Sequence, residues 1–275
     1  RIRVYFFFIM NFIFFNNIEK GIQKKFLNNG YYKFNVLDKN KLNFLRTKII
    51  YLSKIWLKKQ KKSINIQHIN NLNQTHKFIH PDQLNDFRIF IYESINKMKN
   101  FKKIYFELGR KYIEIICGNE LVMQKKCNLS IQFPNDDSSL LPLHADVWTG
   151  DSEYELVFWL PLVDVYKTKS MFILPPKLHE KYQKNFKKNN SINSLYNKVK
   201  KDLKWINLNY GQGIVFTQNL MHGNIINKEK TTRWSFNCRF KAIFSPYRDK
   251  EIGSFFTPIT IKPITLLGKN YKFPK

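Results

Sequence analysis

The stretch Arg233-Trp-Ser-Phe-Asn-Cys-Arg-Phe-Lys241 alternates between two kinds of side chain along its whole length. Successive strand residues point to opposite faces, so Trp234, Phe236, Cys238 and Phe240 share one face and Arg233, Ser235, Asn237 and Arg239 the other. This is a strand with an apolar face for a core and a polar face built for a ligand. Working outward, Gly213–Thr217, Ser170–Leu174 and Glu155–Leu162 read as further strands, and Leu129–Phe133 alternates strictly before the turn Pro134-Asn-Asp-Asp-Ser-Ser139. A Lys/Asn-rich helical insert, His179–Lys204, interrupts the series. Strands in quick succession, without a helix after each, predict an antiparallel sandwich or barrel and exclude a doubly wound α/β sheet.

The chain before residue 120 has a different character. Phe26–Val36 reads as a helix end, a turn at Gly30 and a short strand. Asp38 caps a helix carrying Leu42, Leu45, Ile49, Leu52 and Ile55 or Trp56 through Lys59. The basic stretch Lys58–Asn73 reads as a loop. Leu84, Phe87, Ile91, Ile95 and Met98 mark a second helix, and Ile104–Ile116, closed by Gly118, a third.

The 275 residues and 43% hydrophobic content exclude a disordered chain, and ten Gly and ten Pro exclude a low-complexity one. Three cysteines without paired spacing argue against a disulfide scaffold and for a reducing, cytoplasmic location. The formal net charge of +27 admits two readings, a nucleic-acid or anionic-polymer binder and the coding bias of an AT-rich genome. Only eight of the 47 cations are Arg, and the Lys are scattered along the chain, which favours the second. No stretch reaches the ~20 apolar residues of a membrane span; the nearest, Val4–Phe15, is broken by Asn11. With Met10 as the start, residues 1–9 would be a gene-model extension, and we leave 1–25 unassigned.

The chemistry lies in Leu141-Pro-Leu-His144-Ala-Asp146-Val-Trp148-Thr-Gly150. On an extended segment a His and an Asp two apart face the same way and can share a metal ion. With His222, in Asn219-Leu-Met-His222-Gly223-Asn224, they make the two-His, one-carboxylate set of non-haem Fe(II) oxygenases, which leaves coordination positions open for cosubstrate and dioxygen. Arg233 and Ser235 follow on one strand face, a guanidinium fork beside a hydroxyl, suited to clamp a carboxylate. His-x-Asp alone is a weak signal. The ordered combination His144-x-Asp146, His222, Arg233-x-Ser235 is specific.

This combination resembles the 2-oxoglutarate/Fe(II)-dependent oxygenase superfamily, and the chain is most similar to its phytanoyl-CoA dioxygenase-like branch. Phe26–Arg46 resembles that branch's opening segment. Trp159-Leu-Pro-Leu-Val-Asp164 is similar to the strand after its metal motif, and Gly213-Ile-Val-Phe216 to the strand before its distal His. Leu174-Pro-Pro-Lys177 departs from the branch's Pro-Gly-Ser-His-like turn. Residues 141–174 and 231–241 look closest to oxygenases of cell-surface carbohydrate gene clusters. The resemblance implies a single domain over 26–275. Its core would be a double-stranded β-helix (a cupin-like jelly roll) over about 120–262, supported by helices from 26–119. It further implies Fe(II) held by His144, Asp146 and His222, 2-oxoglutarate held by Arg233 and Ser235, and consumption of O2 with release of succinate and CO2 while a small molecule or sugar-linked substrate of cell-surface carbohydrate or secondary metabolism is hydroxylated.

Four further residues each carry two readings. Gln132, on the strand before the metal motif, could bond the cosubstrate or be a satisfied amide. Trp148, two past Asp146, could wall a substrate pocket or pack under a loop. Glu155 and Arg239 could meet substrate; a solvated edge and a salt bridge are their ordinary alternatives. His68, His76, His80 and His179 read as solvated or structural, and Cys117 and Cys127 as core residues. The competing function is a basic nucleic-acid or polymer binder that uses the jelly roll as a scaffold.

Overall fold

The structure, a computed structural model, describes residues 14–60, 70–184, 186 and 191–274. Residues 1–9, His68 and most of the Lys58–Asn73 stretch lie outside them. Helix α1 (Asn17–Asn29) begins at a capping box, in which the Asn16 side chain accepts from the Glu19 N–H and the Glu19 carboxylate accepts from the Asn16 N–H. It stops at Gly30, whose φ of +74° is the left-handed conformation a side chain disfavours. Strand β1 (Tyr31–Asn35) follows, and Asp38 caps α2 (Lys39–Lys59) by accepting the Lys41 N–H at 2.9 Å. Helices α3 (Leu84–Lys97) and α4 (Phe101–Cys117) complete the N-terminal part.

Then come β2 (Leu121–Gln124), β3 (Asn128–Gln132), β4 (Leu156–Pro161) and β5 (Phe172–Ile173). The helical insert resolves into α5 (Pro176–Lys184) and α6 (Ile192–Val199). Strands β6 (Lys204–Trp205), β7 (Gln212–Thr217), β8 (His222–Gly223), β9 (Arg233–Ala242) and β10 (Phe256–Pro258) precede α7 (Pro263–Asn270), which lies beyond the expected core.

All strand pairs are antiparallel. The larger sheet runs β1-β7-β4-β9-β2-β10, with β3 also on β9, and the smaller runs β6-β5-β8. The N-terminal part is therefore more than helical support: β1 closes one edge of the main sheet by pairing with β7, Tyr31 opposite Phe216.

The two faces of β9 separate as the alternation predicts. Trp234, Phe236, Cys238 and Phe240 are fully buried, and they lie beneath the helices, outside the space between the sheets. Phe87 of α3 meets Trp234 edge-on at 5.8 Å, and Phe101 and Tyr105 of α4 meet Phe236 at 5.2 and 6.1 Å. The Tyr105 hydroxyl donates to the Phe158 carbonyl at 2.6 Å, so the helix is bonded to the sheet as well as packed on it. Each buried ring removes roughly 150–250 Å² from water, so this helix–sheet layer buries a large apolar area. The polar face of β9 turns the other way, into the space between the two sheets.

Cys127 and Cys238 are buried in this layer and Cys117 is partly so; all three are free thiols, and burial pushes Cys117 up to about 12. Among the described residues, no helix is long and apolar enough to cross a membrane.

One buried charge lies away from the site. The Lys169 ammonium, in a short turn before β5, donates to the Asn73 side chain at 2.6 Å, and burial pulls its pKa down to about 8 against the attraction of Asp164 and Glu229. A folded-state pKa below the unfolded value means the charge opposes folding below about pH 8, and the penalty fades as both states lose the proton. Lys169→Met should therefore raise the melting temperature at pH 7, with the gap to wild type narrowing towards pH 10.5 in melts of the two proteins side by side.

Candidate metal centre

His144 and His222 face each other across a two-residue antiparallel bridge. The His144 N–H donates to the His222 carbonyl at 2.9 Å and the His222 N–H to the His144 carbonyl at 2.8 Å. The pairing sets the two imidazole rings 4.4 Å apart between centroids. Each ring donates its Nδ1–H to a carbonyl two residues earlier, His144 to Pro142 at 2.7 Å and His222 to Leu220 at 2.8 Å. A carbonyl only accepts, so Nδ1 carries a proton in both rings and Nε2 is the nitrogen each ring turns towards Asp146 and a shared ligand.

Asp146 joins them by a different route from the one expected. The segment does not continue as a strand. Ala145 is extended, but Asp146 begins a short 3-10 turn, Asp146–Thr149, with its N–H donated to the Gln218 carbonyl at 3.2 Å. The carboxylate still meets the imidazoles, Oδ1 standing 3.2 Å from His144 Nε2 and 3.9 Å from His222 Nε2. One ligand atom from each residue falls within 4.8 Å of the others. Donors of a common ion at about 2.1 Å stand about 3 Å apart, so small side-chain shifts suffice for a shared metal.

The turn redirects Trp148. Instead of walling the metal pocket, its ring lies tilted against Phe186 at 4.7 Å and packs against the smaller apolar cluster. There it borders a separate open groove with Glu153 and His179.

The electrostatics suit a metal. Burial opposes the charge of Asp146, yet the hydrogen bond with His144 and the nearby His222 and Arg239 hold its carboxyl well below the usual range. Burial pushes His222 down to about 4, keeping that imidazole neutral. For His144, burial opposes protonation, but the bond to Asp146 outweighs it and the pKa is raised.

Close backbone contact is a condition of this geometry. A Cβ on Gly223 would stand 2.7 Å from the Leu141 carbonyl oxygen and 2.9 Å from that of Pro142, so only glycine lets the two segments meet here. Asn224 ties them further, accepting the Leu141 N–H at 2.7 Å and donating to the Ser139 carbonyl at 3.4 Å.

His144, Asp146 and His222 open into a cavity of about 230 Å³ between the sheets, which Arg233, Ser235, Asn237 and Arg239 of β9 line with Asn128 and Ser130 of β3. Apolar side chains, including Val157, Trp159, Met171 and Phe216, make the opposite wall. Arg233 is buried and rigidly held, Nη2 donating to Ser130 Oγ at 2.9 Å and Nη1 to the Ser170 carbonyl at 3.3 Å. Its Nε and the Ser235 hydroxyl are buried without a partner. No carboxylate pairs with Arg233 among the described residues, and burial pulls its pKa down to about 10.

The remaining expected residues are placed as follows. Gln132 lies beside the cavity rather than on its wall; it is buried opposite Arg233, donates to the Ile225 carbonyl at 2.8 Å, and its Oε1 has no partner. Glu155 is neither a substrate contact nor a solvated edge, because it is buried, accepting the Ser152 N–H and the Gln218 amide, each at 3.0 Å. Arg239 forms an ion pair with Asp146. His179 is buried and its Nδ1 accepts the Met221 N–H at 3.2 Å, a structural role, and His76 bonds Thr232. Sequence reasoning missed Gln218, Asp151 and Ser130. None carries a local signal, since each matters only through partners far away in the chain.

No family model matches the chain, and a search of curated proteins finds no match to its sequence. Solved structures do match its shape. A non-haem monooxygenase, ThoJ, in its nickel complex is 14% identical, with a TM-score of 0.55 over 88% of this chain and 84% of that one. EctD from S. alaskensis with 2-oxoglutarate and 5-hydroxyectoine is 14% identical, with a TM-score of 0.53 over 83% of this chain and 77% of that one. The non-haem α-ketoglutarate-dependent epimerase SnoN from nogalamycin biosynthesis is 14% identical, with a TM-score of 0.51 over 86% and 87%. The fold is the double-stranded β-helix of these proteins.

Gly223→Ala should force the 141–144 segment away from β8. Overpacking of this kind costs about 1–3 kcal/mol. The expected outcome is a lower melting temperature together with a loss of Ni(II) affinity of about ten-fold or more in an equilibrium titration.

Proposed function

We propose that this chain is a non-haem Fe(II)- and 2-oxoglutarate-dependent oxygenase acting on a small-molecule substrate. The observation that carries the proposal is the Arg233 guanidinium: buried, immobilised, without a carboxylate partner among the described residues, and in the wall of the cavity onto which His144, Asp146 and His222 open. An unpaired buried charge is expensive, and proteins keep one where a ligand completes it. Arg233 Nε and Ser235 Oγ, both unsatisfied, offer a dicarboxylic oxo-acid the anchor that its far carboxylate needs.

The donor set fits the metal, since two imidazole nitrogens and one carboxylate oxygen suit Fe(II) and leave open positions. Bound there, Fe(II) supplies the oxidising chemistry, the turnover of 2-oxoglutarate and O2 to succinate and CO2 coupled to oxidation of a substrate C–H bond. The protein's own contribution is positional. The backbone bridge holds the two imidazoles, the Nδ1 bonds aim their Nε2 atoms, and Arg233 with Ser130 and Ser235 orients the oxo-acid. The apolar wall of Val157, Trp159, Met171 and Phe216 excludes water from the reacting face.

The finer part of the proposal, a phytanoyl-CoA dioxygenase-like enzyme acting on a sugar-linked molecule in the cytoplasm, is supported by the sequence resemblance and by the three free thiols. A panel of nucleotide sugars and sugar-linked metabolites, scored by substrate-stimulated succinate release, tests it.

Purified protein with Fe(II), ascorbate and 2-oxoglutarate should release succinate and CO2 even without the prime substrate. Asp146→Ala should abolish this turnover together with Fe(II) binding. Arg233→Leu should retain metal and weaken 2-oxoglutarate binding by about 100-fold, the loss expected when a charge-assisted pair of hydrogen bonds is removed. No turnover after anaerobic iron loading and admission of oxygen, combined with salt-dependent affinity for nucleic acid, would favour the basic binding protein instead.

A further inference from the structure

The two oxygens of Asp146 have different surroundings. Oδ1 faces the imidazole nitrogens, at 3.2 Å from His144 Nε2 and 3.9 Å from His222 Nε2. Oδ2 is taken by Arg239, whose Nη2 lies 3.1 Å away. Building on the metal-site reading above, we infer that Arg239 is a positioning residue that occupies Oδ2 of Asp146, so that this carboxylate meets the metal through Oδ1 alone.

Arg239 is held for this task from several sides. Its Nε donates to the Gln218 side-chain oxygen at 2.9 Å and lies 3.4 Å from Asp151 Oδ1, and its guanidinium carbon stands 5.8 Å from the centre of the Phe255 ring. Asp151 is itself fixed by the Lys250 ammonium at 2.5 Å. Gln218 connects the parts. Its amide donates to the Ser152 carbonyl and to Glu155 Oε2, both at 3.0 Å, and its backbone carbonyl accepts the Asp146 N–H at 3.2 Å. One residue thus anchors Asp146 at the backbone and, through Arg239, at the carboxylate. Arg239 is not a free anion receptor in this arrangement, because two of its three nitrogens are committed to Asp146, Gln218 and Asp151.

The consequence is a count of coordination positions. Two imidazoles and one carboxylate oxygen leave three positions on a six-coordinate ion, two for a chelating oxo-acid and one for dioxygen. A carboxylate that chelates through both oxygens would fill the third. Of the groups around Asp146, Arg239 is the one that keeps Oδ2 off the metal.

Mn(II) is a suitable probe because its bound, exchangeable waters are counted by water-proton relaxivity, without turnover. The wild-type complex should show three such waters. Arg239→Met, of similar length but with no donor, frees Oδ2 to chelate. The inner-sphere relaxivity of its Mn(II) complex should fall by about one third, from three waters to two. Arg239→Lys, which still offers one donor to Oδ2, should restore most of it. Melting of the metal-free proteins separates this from a structural role, since a merely structural arginine would lower the melting temperature and leave the water count unchanged. Should Arg239→Met fail to fold, a crystal structure of wild-type protein with Mn(II) decides: Asp146 bound through Oδ1 with Oδ2 on Arg239 supports the inference, and a chelating Asp146 overturns it. An unchanged relaxivity in a folded Arg239→Met protein overturns it too. Wild-type protein that fails to bind Mn(II) overturns the metal-site reading itself, an outcome distinct from either.

Discussion

Two backbone hydrogen bonds between His144 and His222 hold this site together. They run in opposite directions between the same two residues, so neither segment can slide or rotate without breaking both. Everything nearby conforms to that closeness. Position 223 must lack a Cβ, Asn224 spends its side chain on the neighbouring segment, and each imidazole turns its Nδ1 to its own backbone. Two ring nitrogens are thereby presented together before any ion arrives, so that the ordering entropy is met by folding.

Charge is then arranged around this point in two unlike ways. Arg239 is a satisfied cation, surrounded by Asp146, Asp151, Glu155 and the Gln218 amide. Arg233, on the same strand face, is fixed by neutral oxygens from Ser130 and Ser170 and keeps Nε unpartnered. One arginine is paired with the protein's own carboxylates and the other keeps a buried donor unpaired. Of the large positive surplus, these two charges are the ones among the described residues that face the cavity. The surplus as a whole therefore says less about function than its size suggests.

Much of the fold was legible because it rests on local rules. The period-two alternation of 233–241 put Trp234, Phe236, Cys238 and Phe240 on one face, and they are buried on one face. The caps at Asp38 and Gly30 mark real helix boundaries for the same reason, since each acts within a few residues of itself. What could not be read was which space each face looks into. The apolar face of β9 meets the helices rather than the interior between the sheets. That choice depends on Phe87, Phe101 and Tyr105 arriving from elsewhere in the chain. The turn at Asp146 was missed for a related reason: the Gln218 carbonyl that bends the backbone there is distant in sequence, and the bend sends Trp148 to Phe186 instead of the metal.

The amino-acid sequence by itself determined the identity of the chemical groups: two histidines, one aspartate and an Arg-x-Ser pair, in an order and on strands that bring an oxygenase site to mind. It determined them because residue type and strand periodicity are local properties. Tertiary structure alone decided how each group is used. It made Arg233 an unpaired cation and Arg239 a paired one, although both sit on the same face of the same strand. The difference lies in partners that long-range packing brings in: serines and carbonyls around the first, carboxylates around the second.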